Sequence, residues 1–79
     1  MTRAISTIAR EIVTDWRPVN YAAAPYLRAM HWLTTVNDYY GADNGRGIVL
    51  YFLSNAATWR GETARRVKKE LKALLESRS

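Results

Sequence analysis

The fold of this chain depends on residues 47–59, GIVLYFLSNAATW, a stretch without any charged side chain in a sequence of which 24% is charged. On a helical wheel its apolar side chains point in every direction, and a helix that is apolar all round must be buried on most of its surface. Its length is well short of the roughly twenty residues that span a bilayer, so we expect no membrane insertion. The stretch predicts a central helix that the rest of the chain covers.

A buried strand over residues 48–53 is the rival interpretation, because the run is rich in β-branched and aromatic side chains. A strand needs partners, however, and no other segment of the chain alternates with a period of two or resembles a hairpin. We therefore favour the helix.

Length and composition indicate one small domain, which we place at residues 1–79. A chain of this size is near the lower limit at which one hydrophobic core maintains a fold unaided. Cysteine is absent, which excludes disulfides, thiol nucleophiles and sulfur-ligated metals and suits a reducing cytoplasm. Arg10 and Glu11 interrupt the apolar run that a signal peptide needs, so we expect no leader.

Two amphipathic helices are predicted before the central stretch. The first covers about 2–16 and ends before Pro18, because the residue that precedes a proline is driven out of the α region. Its apolar positions, spaced by three and four, are Ile5, Ile8, Ala9, Ile12, Val13 and Trp16. The polar residues expected to face water on its other side are Arg3, Arg10, Arg17 and Glu11.

The second helix is predicted at about 22–34. Either Pro25 occupies its first turn, where the missing N–H costs nothing, or the helix begins near Tyr21 and is kinked at the proline. The apolar positions expected to pack on the central helix are Tyr26, Leu27, Met30, Leu33 and, as a further candidate, Trp32.

Residues 34–47 are rich in turn formers and predict a loop. Asp43 or Asn44 is the expected N-cap of the central helix, which we place at about 45–57. Tyr39 and Tyr40 lie in the middle of this loop. Packing of both rings against the edge of the core is the favoured interpretation, and an aromatic binding surface is the alternative.

The last helix is predicted at about 60–76, and it is the basic part of the chain. Its apolar positions are Ala64, Val67, Leu71, Leu74 and Leu75. Of the net charge of +5, residues 41–79 carry +4. This imbalance raises nucleic acid, an acidic protein or an anionic membrane surface as partners, with a solvated basic face as the alternative. The candidate surface for a partner or nucleic acid consists of Arg60, Arg65, Arg66, Lys68, Lys69 and Lys72.

Taken as helices over residues 48–57 and 62–75, the central and last helices are joined by the four residues 58–61, which include a glycine, and this arrangement loosely resembles a helix-turn-helix. In that interpretation the residues that face bases or phosphates are Glu62, Thr63, Arg65 and Arg66.

Residues for catalysis or for a cofactor are not evident in the sequence. His31 is the only histidine, so we expect no metal site and a packed or half-exposed imidazole. The carboxylates form no pair that must face one cleft, and the glycines form no phosphate-binding loop. We expect neither an enzyme nor a bound cofactor.

Four blocks follow one another along the chain, NYAAAPYLRAM at residues 20–30, YGAD at 40–43, IVLYFLSNA at 48–56 and WRGETA at 59–64. With these blocks in this order, the chain resembles a family of small proteins encoded by mycobacteriophages and related actinobacterial phages. The resemblance implies a phage origin, synthesis in the cytoplasm of the bacterial host, and an accessory role that acts on the host or on phage gene expression. It implies no activity and no site residues.

The fold expected is all-α, a compact bundle of four short helices with a buried, apolar third helix. The leading predicted function is that of a non-enzymatic protein-binding module with an unidentified protein partner. The alternatives are a nucleic-acid-binding regulator that uses the basic last helix and a self-associating structural protein that forms a homo-oligomer.

Overall fold

Four α-helices and one short β-hairpin make up residues 3–76, the part of the chain that this computed structural model describes. In chain order they are α1 (Ile5–Asp15), α2 (Ala24–Met30), β1 (Tyr39–Tyr40), β2 (Asp43–Asn44), α3 (Gly45–Ser54) and α4 (Glu62–Glu76). The helices follow one another as predicted. Residue 2, where the first helix is expected to begin, lies outside the described residues.

The prediction of a purely helical protein is wrong, because β1 and β2 form a two-stranded antiparallel sheet. Tyr39 pairs with Asn44 and Tyr40 pairs with Asp43, which leaves a two-residue loop. The first loop residue, Gly41, has a φ of 64°, as a hairpin turn of type II′ requires at that position. Strands of two residues are too short to alternate visibly in sequence, so the hairpin is hidden in a predicted loop.

The helices are shorter than predicted, because their expected ends continue as tight turns. After α2 the N–H of Leu33 donates to the carbonyl of Met30, a bond across three residues rather than four. After α3 the N–H of Ala56 donates to the carbonyl of Leu53 in the same way. Pro25 lies in the first turn of α2, so the first of the two alternatives for this proline is confirmed.

The start of α3 is anchored to the preceding loop. The side-chain oxygen of Asn44 accepts a hydrogen bond of 2.8 Å from the N–H of Arg46, so Asn44 is the N-cap, one of the two predicted candidates. The N–H of Arg46 also donates to the carbonyl of Val36, and the N–H of Gly45 donates to the carbonyl of Asp38. These bonds hold the loop against the first turn of α3.

The core is built around Phe52, which is completely buried and packs edge-on against a pair of tryptophans. Its ring meets Trp16 and Trp59 edge-on at centroid distances of 6.2 and 6.5 Å, and the two indoles stack on each other at 5.7 Å. The Nε1–H of Trp59 donates to the Asp15 carboxylate at 2.8 Å, so this buried indole keeps a hydrogen-bond partner. The other large side chains that are fully buried are Ile5, Ile8, Ile12, Met30, Leu33, Val49, Val67 and Leu71.

Only one side of α3 is buried, although its composition predicts cover on all sides. Ile48, Val49 and Phe52 lie in the core, and α3 packs against α2 and α4. Leu50, however, is 51% exposed and Tyr51 is 59% exposed. A chain of this length has too few neighbouring helices to surround a central one, so the apolar far side of α3 meets water.

Two other apolar positions predicted to lie in the core are exposed. Val13 lies at the solvent edge of α1, and Trp32 is 73% exposed. Because α2 ends at Met30, helical spacing no longer predicts which way Trp32 faces.

An ion-pair network joins α1 to α4. Arg3 lies 2.6 Å from Glu70 and 2.8 Å from Glu11, and Arg66 also pairs with Glu11. The prediction that Arg3 and Glu11 face only water is therefore wrong. Hydrogen bonds from Arg66 and then Arg3 hold the pKa of Glu11 below its ordinary value, and the bond to Glu70 is the main reason that the pKa of Arg3 is raised.

Candidate functional site

Two surfaces of the protein carry side chains suited to binding a partner. The first, called the aromatic surface here, consists of Tyr26, Leu50 and Tyr51 with the cleft beside them. The second, called the basic surface, consists of the exposed cations Arg60, Arg65, Lys69 and Lys72.

The aromatic surface forms where α2 packs against α3. Tyr26 from α2 and Tyr51 from α3 stack with their ring centroids 5.5 Å apart and their planes 27° from parallel. Leu50, the neighbour of Tyr51, adds an exposed aliphatic side chain. Because each ring supports the other, the pair presents a defined apolar face to water.

A cleft of about 460 Å³ opens beside the two rings. Its lining residues are Tyr26, Asp43, Asn44, Gly47, Ile48 and Tyr51. Asn44 is already held as the N-cap of α3, whereas Asp43 offers a carboxylate at the wall of the cleft. The volume falls in the usual range of ligand-binding clefts, and the lining is as polar as it is apolar.

Tyr39 and Tyr40 are both exposed, so the favoured prediction that their rings pack on the edge of the core is wrong. Directly opposed residues of an antiparallel pair place their side chains on the same face of the sheet. Tyr40 is opposite Asp43, which lines the cleft. We therefore place Tyr40 at the hairpin edge of the aromatic surface.

Tyr26 packs against the core and on α3, as predicted, whereas Leu50 and Tyr51, which are predicted to be buried, are exposed, so sequence reasoning missed this surface. The sequence contains one signal for this surface, which is the number of apolar side chains in the central stretch. The central stretch carries apolar side chains in every direction, and three short helices cannot cover all of them. Some of those side chains had to be exposed, although the sequence does not say which.

The basic surface retains four of the six predicted cations. Arg60, Arg65, Lys69 and Lys72 are exposed and make no ion pair within residues 3–76. The other two have partners inside the protein, because Arg66 pairs with Glu11 and Lys68 binds a carbonyl.

Lys68 is held against the turn that precedes α4. Its Nζ donates to the carbonyl of Trp59 at 2.7 Å and lies 5.9 Å from the centre of the Trp59 ring. Burial lowers the pKa of Lys68, and the positive charges of Lys72 and Arg60 lower it further. Lys68 therefore lies within electrostatic range of two other cations, Lys72 and Arg60.

The joint between α3 and α4 does not fit the predicted helix-turn-helix. α3 ends at Ser54 and α4 begins at Glu62, so seven residues separate them, and a helix-turn-helix joint has about three or four. Of the residues assigned to DNA in that interpretation, Thr63 is half-buried and Arg66 belongs to the ion-pair network. Only Glu62 and Arg65 remain exposed and free of that network.

His31 is half-buried, as predicted, and lines a second groove of about 240 Å³. The other lining residues of this groove are Val13, Val19, Ala24, Leu27 and Arg28. Among the described residues, no three His, Asp or Glu side chains lie close enough together to hold a metal ion.

Comparison of the chain with protein-family models, with curated protein sequences and with solved structures finds no match. Over residues 3–76, none of the helices combines the length and the apolar composition that crossing a membrane requires. The functional assignment therefore depends on the geometry of the two surfaces.

Proposed function

We propose that this protein is a small, non-enzymatic protein-binding module that binds its partner through the aromatic surface. The observation that carries the proposal is the exposure of Leu50 and Tyr51 on an apolar helix, where Tyr51 stacks on the ring of Tyr26 beside the cleft. Grouped apolar side chains that remain in water usually mark an interaction site. Tyrosine is enriched in interfaces because it buries a large area and loses little side-chain entropy.

The free energy available from this surface supports the proposal. Burying a large apolar side chain completely contributes about 1.5–3 kcal/mol. Because Leu50 and Tyr51 are roughly half exposed, covering both contributes on the order of 2–3 kcal/mol before the costs of association. Per side chain this is about 1–1.5 kcal/mol, which is less than a hot-spot residue contributes, so further contacts must complete the interface.

An origin and a cellular location belong to the same proposal. The four blocks between residues 20 and 64 resemble mycobacteriophage proteins, which supports a phage-encoded accessory protein in the cytoplasm of a bacterial host. A sequence without cysteine agrees with a reducing compartment. In that setting the partner is a host protein or another phage protein.

The test is affinity purification from actinobacterial cells that express the tagged protein, followed by mass spectrometry. The variant Leu50→Ser/Tyr51→Ser removes the aromatic surface and leaves the core of α3 untouched. The matched control, Tyr21→Ser/Trp32→Ser, also removes two exposed aromatic or apolar side chains, but from other positions.

We expect mass spectrometry to detect a partner protein that is purified with the wild type and with the control but not with the Leu50/Tyr51 variant. Circular dichroism must show that both variants remain helical. If the same proteins are recovered with all three chains, the aromatic surface is not the binding site.

A second copy of the chain is another occupant that this surface would accept. Sedimentation over a concentration series separates the two cases, because a homo-oligomer gives a mass that rises with concentration and falls in the Leu50/Tyr51 variant. A single species near 9.0 kDa at every concentration rules out the self-associating alternative.

Nucleic-acid binding is the second candidate function, and the four unpaired cations of the basic surface favour it. Binding through phosphates weakens steeply with salt, and the slope reports how many phosphates are neutralised. With four free cations, we expect duplex DNA binding to be weak, non-specific and lost by roughly 150 mM salt. Sequence-selective binding that persists at that salt, and that Lys69→Glu/Lys72→Glu abolishes, would reverse the order of the two candidates.

A further inference from the structure

The exposed cations of α4 lie on one face of the helix. At 100° per residue, Lys72, Arg65 and Lys69 fall within an arc of about 60°, and Lys68 lies at the edge of this arc toward the core. Arg65 and Lys69 are four residues apart, a rise of about 6 Å along the helix axis. The basic surface is therefore a short strip about two helical turns long, with Arg60 at its N-terminal end.

Negative charge is excluded from the middle of this strip. Glu70 is the only acidic residue between Arg65 and Lys72, and it lies on another side of the helix, where it pairs with Arg3. Arg65, Lys69 and Lys72 consequently have no ion-pair partner among residues 3–76. Like charges one helical turn apart destabilise a helix, so this arrangement costs stability unless an external anion compensates for it.

We infer that the basic surface binds an acidic segment of the partner protein, a helix that carries glutamate or aspartate side chains four residues apart. This inference rests on the proposed protein-binding function and specifies the chemistry of the partner. Carboxylates at that spacing match the rise between Arg65 and Lys69, and each can accept from one cation of the strip. Lys68, which is fixed on the Trp59 carbonyl, contributes positive charge at the inner edge without having to be ordered first.

A continuous phosphate backbone matches the strip less well. A protein that makes about 6–10 phosphate contacts to a duplex already loses roughly 10³–10⁵-fold in affinity between about 50 and 200 mM salt, and the basic surface offers four free cations. Glu62 and Glu76 are exposed at the two ends of α4 and repel a polyanion that extends beyond the strip. An acidic helix with a few discrete carboxylates fits between them.

Fluorescence anisotropy with a labelled acidic peptide tests the inference. The probe is a helical peptide of about 20 residues with glutamates four residues apart, and the comparison probes are its glutamine counterpart and a duplex DNA of about 20 base pairs. The variant Lys69→Glu/Lys72→Glu reverses two exposed cations. It keeps α4 helical, because Lys68 and the new glutamate at position 72 form an attractive pair across one turn.

The matched control is Arg10→Glu/Arg28→Glu, which changes the net charge by the same amount at two exposed arginines on α1 and α2. We expect the glutamate peptide to bind the wild type and this control, to bind the Lys69/Lys72 variant at least about tenfold more weakly, and to lose affinity when its glutamates become glutamines. Circular dichroism and thermal unfolding confirm that all three chains are folded.

Three outcomes would overturn the inference: no binding of the glutamate peptide at low salt, equal binding by both variants, or tighter binding of duplex DNA than of the peptide at the same salt. The last of these would support the nucleic-acid candidate instead. None of these measurements involves Leu50 or Tyr51. If partner capture depends on Leu50 and Tyr51 but the acidic peptide does not bind, the inference about charge is wrong and the proposed function still stands.

Discussion

Gly45 is a position at which a single added methyl group should destabilise the fold by steric overlap. It is the first residue of α3, and the loop of residues 35–38 lies directly against it. A Cβ added there would lie 3.0 Å from the carbonyl oxygen of Thr35 and 3.1 Å from those of Val36 and Asp38. Ordinary van der Waals contact with carbon is about 3.5–4.0 Å, so all three oxygens must move outward.

The three oxygens cannot move freely, and this decides the sign of the effect. The carbonyl of Asp38 accepts from the N–H of Gly45 at 2.7 Å, and that of Val36 accepts from the N–H of Arg46 at 2.9 Å. Overpacking of this kind destabilises the fold by about 1–3 kcal/mol. Replacing glycine by alanine stabilises it by about 0.4–1 kcal/mol, because the substitution reduces the conformational entropy of the unfolded chain. We expect Gly45→Ala to lose about 1–2 kcal/mol net.

Gly47→Ala provides the control two residues away in the same helix. A Cβ at Gly47 meets nothing within 4 Å, so this variant should gain about 0.5–1 kcal/mol. Urea unfolding followed by tryptophan fluorescence measures both variants, because Trp16 and Trp59 lie in the core. Opposite shifts of the midpoint with unchanged slopes are expected. A Gly45→Ala protein that is as stable as Gly47→Ala would refute the close approach of the loop to α3.

Two further predictions concern the core and the ion-pair network. Phe52→Ala should cost about 3–5 kcal/mol in urea unfolding, because the fully buried ring packs edge-on against both Trp16 and Trp59, and a loss within about 1 kcal/mol would mean that Phe52 is not central. Because the pKa of Glu11 is lowered in the folded state, its ionised carboxylate stabilises the fold at pH values above the ordinary pKa of 4.5. This contribution is at most about 1 kcal/mol, because the network is accessible to water, and it disappears as the pH falls through the folded-state pKa. The free-energy difference between wild type and Glu11→Gln should therefore shrink on acidification, and a difference that stays constant from neutral pH to well below 4.5 would contradict this assignment.

Much of the secondary structure was predictable because its signals are local. The spacing of Ile5, Ile8 and Ile12 marks the buried side of α1, and all three side chains are fully buried. Asn44 has the side chain that an N-cap needs, and it caps α3. The hairpin was not predictable, because strands of two residues show no periodicity, although Gly41 is the kind of residue that its turn requires.

The candidate site was predictable only in part. The basic residues of α4 are visible in the sequence. Which of them remain without an ion-pair partner, however, depends on acidic residues that are distant in the sequence. Arg66 is bound by Glu11, 55 positions earlier in the chain, and no local pattern relates the two. The sequence predicts an exposed Tyr40 only as the less favoured of two interpretations, and it predicts a buried Tyr51, which is exposed, whereas the predicted packing of Tyr26 on α3 is confirmed.

The sequence by itself determined that the uncharged stretch of residues 47–59 supplies the most apolar helix of a small domain without disulfides. The tertiary structure decided which side of that helix is buried. In an amphipathic helix such as α1 or α4, the polar side determines which side faces water and which side is buried. An apolar helix has no polar side, so its sequence does not determine this orientation. Contacts with α2, α4 and the two buried tryptophans turn Phe52 inward and leave Leu50 and Tyr51 in water. The aromatic surface therefore exists because the chain has more apolar helix than it can cover.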